Sequence, residues 1–473
     1  MARSFEMDMT KGPLFKQLIL YSLPIIGINL LQIAFNTVDV AVLGIFSSDQ
    51  AVGAVGATGN LTKLLIGFFV GLTVSANIFV ARFKGAGDKE SATKFIGTAF
   101  CVGIISGLFL LFVGFFGART FLTWMNCPST LIDMATKYLQ IYSLGIPLII
   151  LYNFSASILR AVGDSVRPLI FLSVGGVLNL VLNIFFIVVL HRDVEGVAIA
   201  TIASQGFSAI MSIIVLIKGT GFAKLDIKRI KIHKKEFCEI LKVGVPLGLQ
   251  SSMFGISNTV MASTLNSFGE TVVTANTIAH EFDAIVHDIT IGFSTSTMAF
   301  ISQNLGARNY KRIWKTIITS LFLVTTVGLT LGALSVLFAR ELCGIMTDSS
   351  KVLDYCVTRL SITGVFYFLT GFYGVFSNVI NSLKKSIISM LGTMFCTVVF
   401  RLFWIWCIFP LNPTLKMHYV VLPISWGLCA IVLGSIAVTM MRRNQRNYES
   451  ENATKKCVKE NYEKESAQEN IAV

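Results

Sequence analysis

The sequence predicts an all-α polytopic membrane protein of about twelve transmembrane helices in two pseudo-symmetric six-helix bundles. Three observations predict it. The 473 residues are 54% hydrophobic and only 14% charged, with a mean hydropathy of +0.71, whereas soluble chains are about 45–50% apolar and about 25% charged. Apolar runs long enough to cross a bilayer core of about 30 Å, roughly 20 helical residues each, recur from end to end. The second half of the chain repeats the first. The shortage of charge excludes a soluble enzyme of this size and a disordered chain. The net charge of +13 does not indicate a nucleic-acid partner. Its Lys and Arg punctuate apolar runs instead of clustering beside aromatics on a water-facing element. Barrel strands would alternate over about ten residues, and no segment does.

In order, the spans are expected near 15–46, 51–82, 92–118, 130–159, 168–190, 194–218, 237–266, 271–305, 313–341, 352–383, 386–410 and 416–441. Residues 1–14 form a cytoplasmic N-terminus, and no cleavable signal peptide is visible, since the first apolar run outlasts a signal h-region. Residues 15–218 make an N-terminal lobe, 219–236 a cytoplasmic linker and 237–441 a C-terminal lobe. From Arg442 the chain is rich in Lys, Glu and Asn, which predicts a disordered cytoplasmic tail over 442–473. Every second connection is basic: Arg82, Lys84 and Lys89, then Arg160 and Arg167, then Lys218 through Lys235, then Arg308, Lys311 and Arg312, then Lys384 and Lys385. Positive-inside bias therefore places both termini in the cytoplasm of a plasma or inner membrane. The nine cysteines make no CxxC pair, and Cys101, Cys343, Cys396, Cys407 and Cys429 sit inside apolar segments, where a thiol acts as a small buried hydrophobe.

The repeat is visible by superposition. A shift of 221 lays Gly71–Phe79 on Gly292–Phe300 and Gly85-Ala86 on Gly306-Ala307. A shift of 222 lays Pro24 on Pro246 and Asn36-Thr37-Val38 on Asn258-Thr259-Val260. Each half holds an even number of spans, so both insert in the same sense, related by an axis along the membrane normal. Such paired bundles carry substrate between them and alternate access by rocking.

Four motifs then carry a family resemblance. They are Leu23-Pro-Ile-Ile with Asn36-Thr-Val-Asp39 in the first span, Ala81-Arg-Phe-Lys-Gly-Ala-Gly-Asp88, Leu159-Arg-Ala-Val-Gly-Asp164 with Arg167-Pro168, and Gln303-Asn-Leu-Gly-Ala307. Over residues 14–441 the chain resembles the multidrug and toxic compound extrusion (MATE) transporters. The match is looser at Asn381-Ser-Leu-Lys-Lys385. The resemblance implies a two-lobed carrier that expels organic compounds against a proton or sodium gradient.

An ionisable group inside the hydrocarbon costs at least roughly 2.5–3.5 kcal/mol on insertion scales and is a functional candidate by default. Asp39 is the clearest. Asn29, Gln32, Asn36 and Asp39 are spaced three, four and three apart and so share one helix face. That stripe requires a partner helix or water. Position 39 falls on Met261 in the second half, so only the first lobe keeps the charge. Burial disfavours the charged form of a carboxylate, which lets Asp39 take up and release a proton. In family members with a sodium site here, the aspartate is joined by polar and acidic residues on helices five and six, and the matching positions are Asn179, Asn183 and Thr201. Asn183 stands where a second carboxylate would be, so the resemblance implies proton coupling in preference to sodium held by Asp39 with Asn179 and Asn183.

Helix eight carries His280, Glu281, Asp283, His287 and Asp288. Two readings stand. Glu281, His287 and Asp288, with Gln32 and Asn36 of the first helix, line a substrate path that draws cations, or the helix-eight groups satisfy one another internally. Neither HExxH nor a compact metal-ligand set is present, and no structural metal or organic cofactor is expected. Lys63, Arg359 and Arg401 also fall inside spans, free to pair with these acids or to snorkel. No P-loop, GxSxG or kinase signature appears, so neither an enzyme nor an ATP-driven pump is expected. The expected function is a monomeric secondary-active antiporter of organic, cationic and amphipathic compounds. A lipid-linked precursor flippase of the same superfamily, a passive channel and a membrane enzyme are the alternatives. Its partners are small molecules and the lipid bilayer, with no nucleic acid.

Overall fold

The computed structural model describes residues 6–469, with the side chains of Asn36, Asp49, Asn60, Lys63, Leu64 and residues 455–469 outside that description. Twelve long helical stretches follow the expected order: α1 Leu14–Phe46, α2 Asp49–Ala86, α3 Lys89–Trp124, α4 Ile132–Ala161, α5 Val166–Val189, α6 Val194–Lys218, α7 Lys234–Leu265, α8 Glu270–Gly306, α9 Tyr310–Leu337, α10 Ser350–Ser382, α11 Ser386–Leu411 and α12 Leu415–Glu469. Among the described residues, ten of these are each long and apolar enough to cross a membrane. α10 adds an eleventh as two segments, Ser350–Phe366 and Phe368–Ser382, bent by 44°. α7 is more polar, with Gln250, Ser251, Ser257 and Asn258 in its middle. Its polar side chains find partners inside the protein: Gln250 donates to Thr393 Oγ1 at 3.1 Å and Ser257 to the Thr397 carbonyl at 3.0 Å.

The repeat is written into the backbone. Asp88 caps α3 by accepting the Ser91 amide, and Asn309 caps α9 by accepting the Arg312 amide, as short polar side chains do at helix starts. The residues just before these caps, Gly87 and Arg308, both take positive φ, +77° and +57°. Gly163 at +86° and Lys384 at +62° repeat the relation after α4 and α10. The loose motif at Asn381–Lys385 therefore keeps the same turn, with a lysine tolerating the left-handed conformation that glycine occupies without cost. Each lobe has its own apolar core. In the N-terminal lobe Phe79 stacks on Phe95 at 4.8 Å and packs in one buried cluster with Phe154. In the C-terminal lobe the core gathers Tyr373, Trp426, Cys429 and Leu433. Cys407, expected to be buried, is exposed on α11, as an apolar side chain on a lipid-facing helix surface is.

The lobes meet closely at one end only. A Cβ on Gly85 would lie 1.8 Å from the Gln303 carbonyl oxygen, and one on Gly306 would lie 2.0 Å from that of Arg82. Further along, Gly71 and Gly248 bring α2 and α7 into backbone contact, with a Cβ on Gly71 only 2.3 Å from the Gly248 nitrogen. Towards the other end Gly56, Gly59 and Gly255 face open space. The two bundles thus form a V, closed at the end that carries the basic loops.

That closed end is tied by the segment preceding α1. The Met9 amide donates to Gln303 Oε1, the Met9 carbonyl accepts from Asn304, and Gln303 also donates to the Ala161 carbonyl at 2.7 Å. Lys84 reaches the Met7 and Val162 carbonyls. Arg312 donates to the carbonyls of Met9, Lys11 and Gly12 and to Gln17 Oε1, each within 2.8–2.9 Å. A segment whose composition suggested a solvated terminus is, from residue 6 onward, a strap across both lobes. Residues 1–5 of that expected terminus lie outside the described residues.

The tail also differs from expectation. α12 runs past Arg442 without a break and reaches Glu469, and only residues 470–473 of the expected tail lie outside the described residues. The stretch just after Arg442 is anchored: Tyr310 donates to Asn444 Oδ1 at 2.6 Å, Trp314 Nε1 to Gln445 at 2.9 Å, and Arg308 lies over the Tyr448 ring. Lys, Glu and Gln are good helix formers, so once α9 holds the first turns, the polar composition extends the helix.

Removing the strap's clamp gives a direct test. Arg312→Ala is expected to lower stability by about 2–3 kcal/mol, the scale of lost hydrogen bonds to a charged donor, and to accelerate amide exchange over residues 6–12. Unchanged exchange there would contradict the strap.

Candidate functional site

α1 positions Asp39 against its own lobe, where it is 7% exposed. α5 presents Asn179 and Asn183 from successive turns of one face, and α6 presents Thr201. The four expected residues form one hydrogen-bonded cluster. Asn183 Nδ2 donates to Asp39 Oδ1 at 2.6 Å and to Asn179 Oδ1 at 3.3 Å. The Thr201 hydroxyl lies 3.3 Å from Asp39 Oδ2 and 2.9 Å from the Val197 carbonyl, and it accepts from Asn179 Nδ2 at 3.4 Å. A hydroxyl has one proton, so Thr201 divides it between Asp39 and its own helix.

The hydrogen bonds to Asp39 come from neutral donors, and among the described residues no Lys, Arg or His lies within ion-pair distance of it. The geometry therefore suits an ionised carboxylate, which only accepts. Asn183 Oδ1, in turn, is buried and accepts no hydrogen bond. The cluster holds a single negative charge with a spare acceptor beside it. A proton or a small cation fits that combination.

The remaining helix-one residues do not join the cluster as a set. Asn29 Nδ2 donates to the Asp288 carbonyl at 3.4 Å, so this end of the stripe faces the other lobe. At about 100° per residue, ten residues leave Asp39 roughly 80° round the helix axis from Asn29. The stripe is thus wide enough to meet the other lobe at one end and its own lobe at the other. Gln32 is exposed on α1, and the side chain of Asn36 lies outside the described residues, as does that of Lys63.

A cavity of about 670 Å³ opens in the second lobe where it faces the first, with Gly67, Val70, Gly71 and Val74 of α2 as one wall. Such a volume lies within the range of drug-sized sites. Its floor and sides come from α7, α8, α10, α11 and α12, with Phe254, Tyr367, Tyr373 and Trp426 among the lining residues. On α8 the lining face runs through His280, Ala284, His287 and Ile291. His287 and Asp288 line it as expected and contact one another, Nδ1 to Oδ1, at 3.3 Å. Glu281 does not line it. It lies seven residues from Asp288 and so on nearly the same face of α8, but it is exposed.

Asp283 is committed elsewhere. Arg359 donates to its Oδ2 from Nε at 2.8 Å and from Nη2 at 2.7 Å, and Thr363 lies 3.4 Å from Oδ1. Arg359 further bonds Asn276 and sits over the Tyr419 ring at 5.7 Å. The helix-eight acids thus divide. Asp283 and Arg359 line the cavity too but are spent on one another, while Asp288 lines it with no Lys or Arg within ion-pair distance among the described residues. The sequence contained both arginines but no signal for their partners, since Arg359 and Asp283 stand 76 residues apart on different helices.

Comparison with known proteins follows the same architecture. The MatE family model matches residues 24–185 and 246–406, one segment in each lobe. The chain is similar to the "Probable multidrug resistance protein YpnP" of Bacillus subtilis (strain 168), 32% identical over 308 residues, covering 65% of this chain and 68% of that one. It is similar to the "Multidrug export protein MepA" of Staphylococcus aureus (strain NCTC 8325 / PS 47), 23% identical over 378 residues, covering 79% and 82%. Among solved structures, one described as an outward-facing multidrug resistance MATE family transporter of the MOP superfamily shares the fold with a TM-score of 0.86, at 22% identity, over 93% of this chain and 98% of that one.

The buried pair in the second lobe yields a test. Asp283→Asn leaves an uncompensated buried guanidinium and is expected to cost about 3–5 kcal/mol, whereas Asp283→Leu combined with Arg359→Met should recover most of that loss. Thermal melting of purified protein distinguishes them, and a double variant at least as unstable as the single one would contradict a self-contained pair.

Proposed function

The chain belongs to the MatE family, and from that premise we propose that it is a secondary-active multidrug antiporter. It exports organic, chiefly cationic and amphipathic, compounds in exchange for protons. The observation that carries this reading is Asp39, one buried carboxylate held, among the described residues, by neutral donors alone. A carboxylate so placed needs a compensating ion, and a proton arriving from one side and leaving to the other makes that need directional.

The protein resides in the plasma membrane with both termini cytoplasmic, as the alternation of basic loops indicates. The closed end of the V is then cytoplasmic and the open end faces outward. An outward-open carrier with ionised Asp39 can accept an external proton. The carboxyl then becomes a donor, and Thr201 returns its proton wholly to the Val197 carbonyl. Rotation of the Asn183 amide brings its spare oxygen to the new O–H. α1 connects this event to the cavity, because its other end is bonded through Asn29 to α8 at Asp288. Pro24 lies between that contact and the strap and removes one backbone bond from the helix, which makes it a natural bending point. Displacement of α1 changes the wall beside Asp288 and favours release of a bound cation. Closure of the outer end and opening of the strapped end return the proton to the cytoplasm. One chain supplies both lobes and the whole cluster, so the monomer is the working unit.

Energetics constrain the exchange. A proton gradient supplies about 1.36 kcal/mol per pH unit, and 100 mV supplies about 2.3 kcal/mol per charge moved. One proton for one monovalent cation moves no net charge and sustains about tenfold accumulation per pH unit. Sodium is the second reading, favoured by the oxygens of Asp39, Asn179 and Thr201 converging with the spare oxygen of Asn183. A single carboxylate makes that site weak.

Ethidium transport in proteoliposomes tests the reading. A pH gradient is expected to drive uptake by the wild type, a sodium gradient alone to drive little, and Asp39→Asn to reduce the pH-driven rate by at least about tenfold. Undiminished pH-driven uptake in the variant would remove Asp39 from the mechanism.

A further inference from the structure

The cavity of the second lobe contains a charge that no described acidic residue answers. Arg401 is 2% exposed and lines the cavity. Its Nε donates to Ser425 Oγ at 3.0 Å and its Nη1 to Asn258 Oδ1 at 3.3 Å. Both acceptors are neutral. Among the described residues no carboxylate lies within 4.0 Å of the guanidinium, and the Nη2 group makes no hydrogen bond to them. Arg359, by contrast, is matched by Asp283. A cation inside the membrane is costly unless paired, and Arg presents a planar fork of five donors suited to two-point binding of a carboxylate.

The surrounding backbone singles out the same place. Arg401 lies on a four-residue α-helical stretch, Phe400–Phe403, between two π-helical turns, Phe395–Val399 and Trp404–Ile408. Such turns are uncommon and concentrate at functional positions. The repeat adds a third observation. The shift of 222 that lays Asn36 on Asn258 also lays Asn179 on Arg401. The first lobe therefore holds a lone acid beside Asn179, and the second holds a lone base in the position of Asn179, bonded to the counterpart of Asn36.

We propose that Arg401 binds the carboxylate of an organic substrate within this cavity, so that the protein carries zwitterions as well as simple cations. Asp288, on the wall formed by α8, takes the cationic end of the same molecule. The cavity's aromatic lining takes the apolar body between them. The inference rests on the export reading and extends its substrate class.

Two dyes that differ in one group provide the test. Rhodamine 110 carries a free carboxylate beside its cationic ring system, and rhodamine 123 is its methyl ester. In proteoliposomes, Arg401→Gln is expected to raise KM for rhodamine 110 by at least about tenfold, the scale of one charged hydrogen-bonded contact, and to leave rhodamine 123 within about twofold. Arg401→Lys should fall between wild type and Arg401→Gln for rhodamine 110. Equal changes for both dyes in a variant of unaltered melting temperature, or no change for rhodamine 110, would overturn the assignment. Should Arg401→Gln not fold, equilibrium binding to the wild type decides: the free carboxylate must bind more tightly than its ester, and equal or weaker binding refutes the proposal. A wild type that binds rhodamine 110 preferentially but carries neither dye would sink the export reading and leave the role of Arg401 standing.

Discussion

One electrostatic constraint governs the rest of the structure: an aspartate is enclosed in a helical lobe with no Lys, Arg or His within ion-pair distance among the described residues. Asp39 is met by an amide and a hydroxyl, which soften the loss of water but do not cancel a charge. Asp283 shows the other solution available to the same fold. It too is buried inside a helical bundle, but two arginine nitrogens hold its oxygen, and nothing further is required. A compensated acid is architecture. An uncompensated one remains chemically open, and in the proposed exchange its state of charge is set by the ion that reaches it from the side to which the protein is open.

In the proposed exchange that local state becomes a motion of large parts because the two bundles touch along narrow lines. Backbone-to-backbone approaches at Gly71 and Gly248, and at Gly85 and Gly306, leave no room for sliding, so relative movement is a matter of contact or separation. The strap of residues 6–12 spans both bundles at the closed end and adds a polar fastening that must be released before that end can part. α1 emerges from this strap, passes α8 at Asn29 and reaches Asn183 through Asp39. It is the element that meets the fastening, the cavity and the ionisable group in turn.

Much of this was legible in the amino-acid order, and the parts that were not share a cause. Spans, their alternation and the repeat are periodic or additive properties, and a chain displays them without folding. Asp39, Asn179, Asn183 and Thr201 were recoverable because a charge within an apolar run is conspicuous and a family pattern supplied its neighbours. The Asp283–Arg359 pair was not, since its members are joined only by the packing of α8 against α10. Composition misled at both ends. The backbone carbonyls of residues 7–12 accept from side chains of Lys84, Asn304 and Arg312, and the charged run after Arg442 is helical because Tyr310 and Trp314 of α9 hold its first turns. Glu281 was misplaced because sharing a helix face with Asp288 does not put a residue within reach of the same cavity. Symmetry also explains why the lobes differ in use. Duplication supplies two copies of a packing scheme, and a polar position that one copy requires is free to gain a charge in the other. Asn179 and Arg401 occupy equivalent places, one beside a carboxylate and the other beside an asparagine. The two proposals follow that division, a small cation in the first lobe and a larger molecule with its own charges in the second.

Infrared difference spectroscopy of the reconstituted protein across an acid-to-alkaline titration tests the role of Asp39 most directly. Coupling through this residue predicts a carboxylic-acid carbonyl band that titrates in the wild type, disappears in Asp39→Asn and shifts when substrate is present. A titrating band that survives the substitution unchanged, or a spectrum indifferent to substrate, would contradict it.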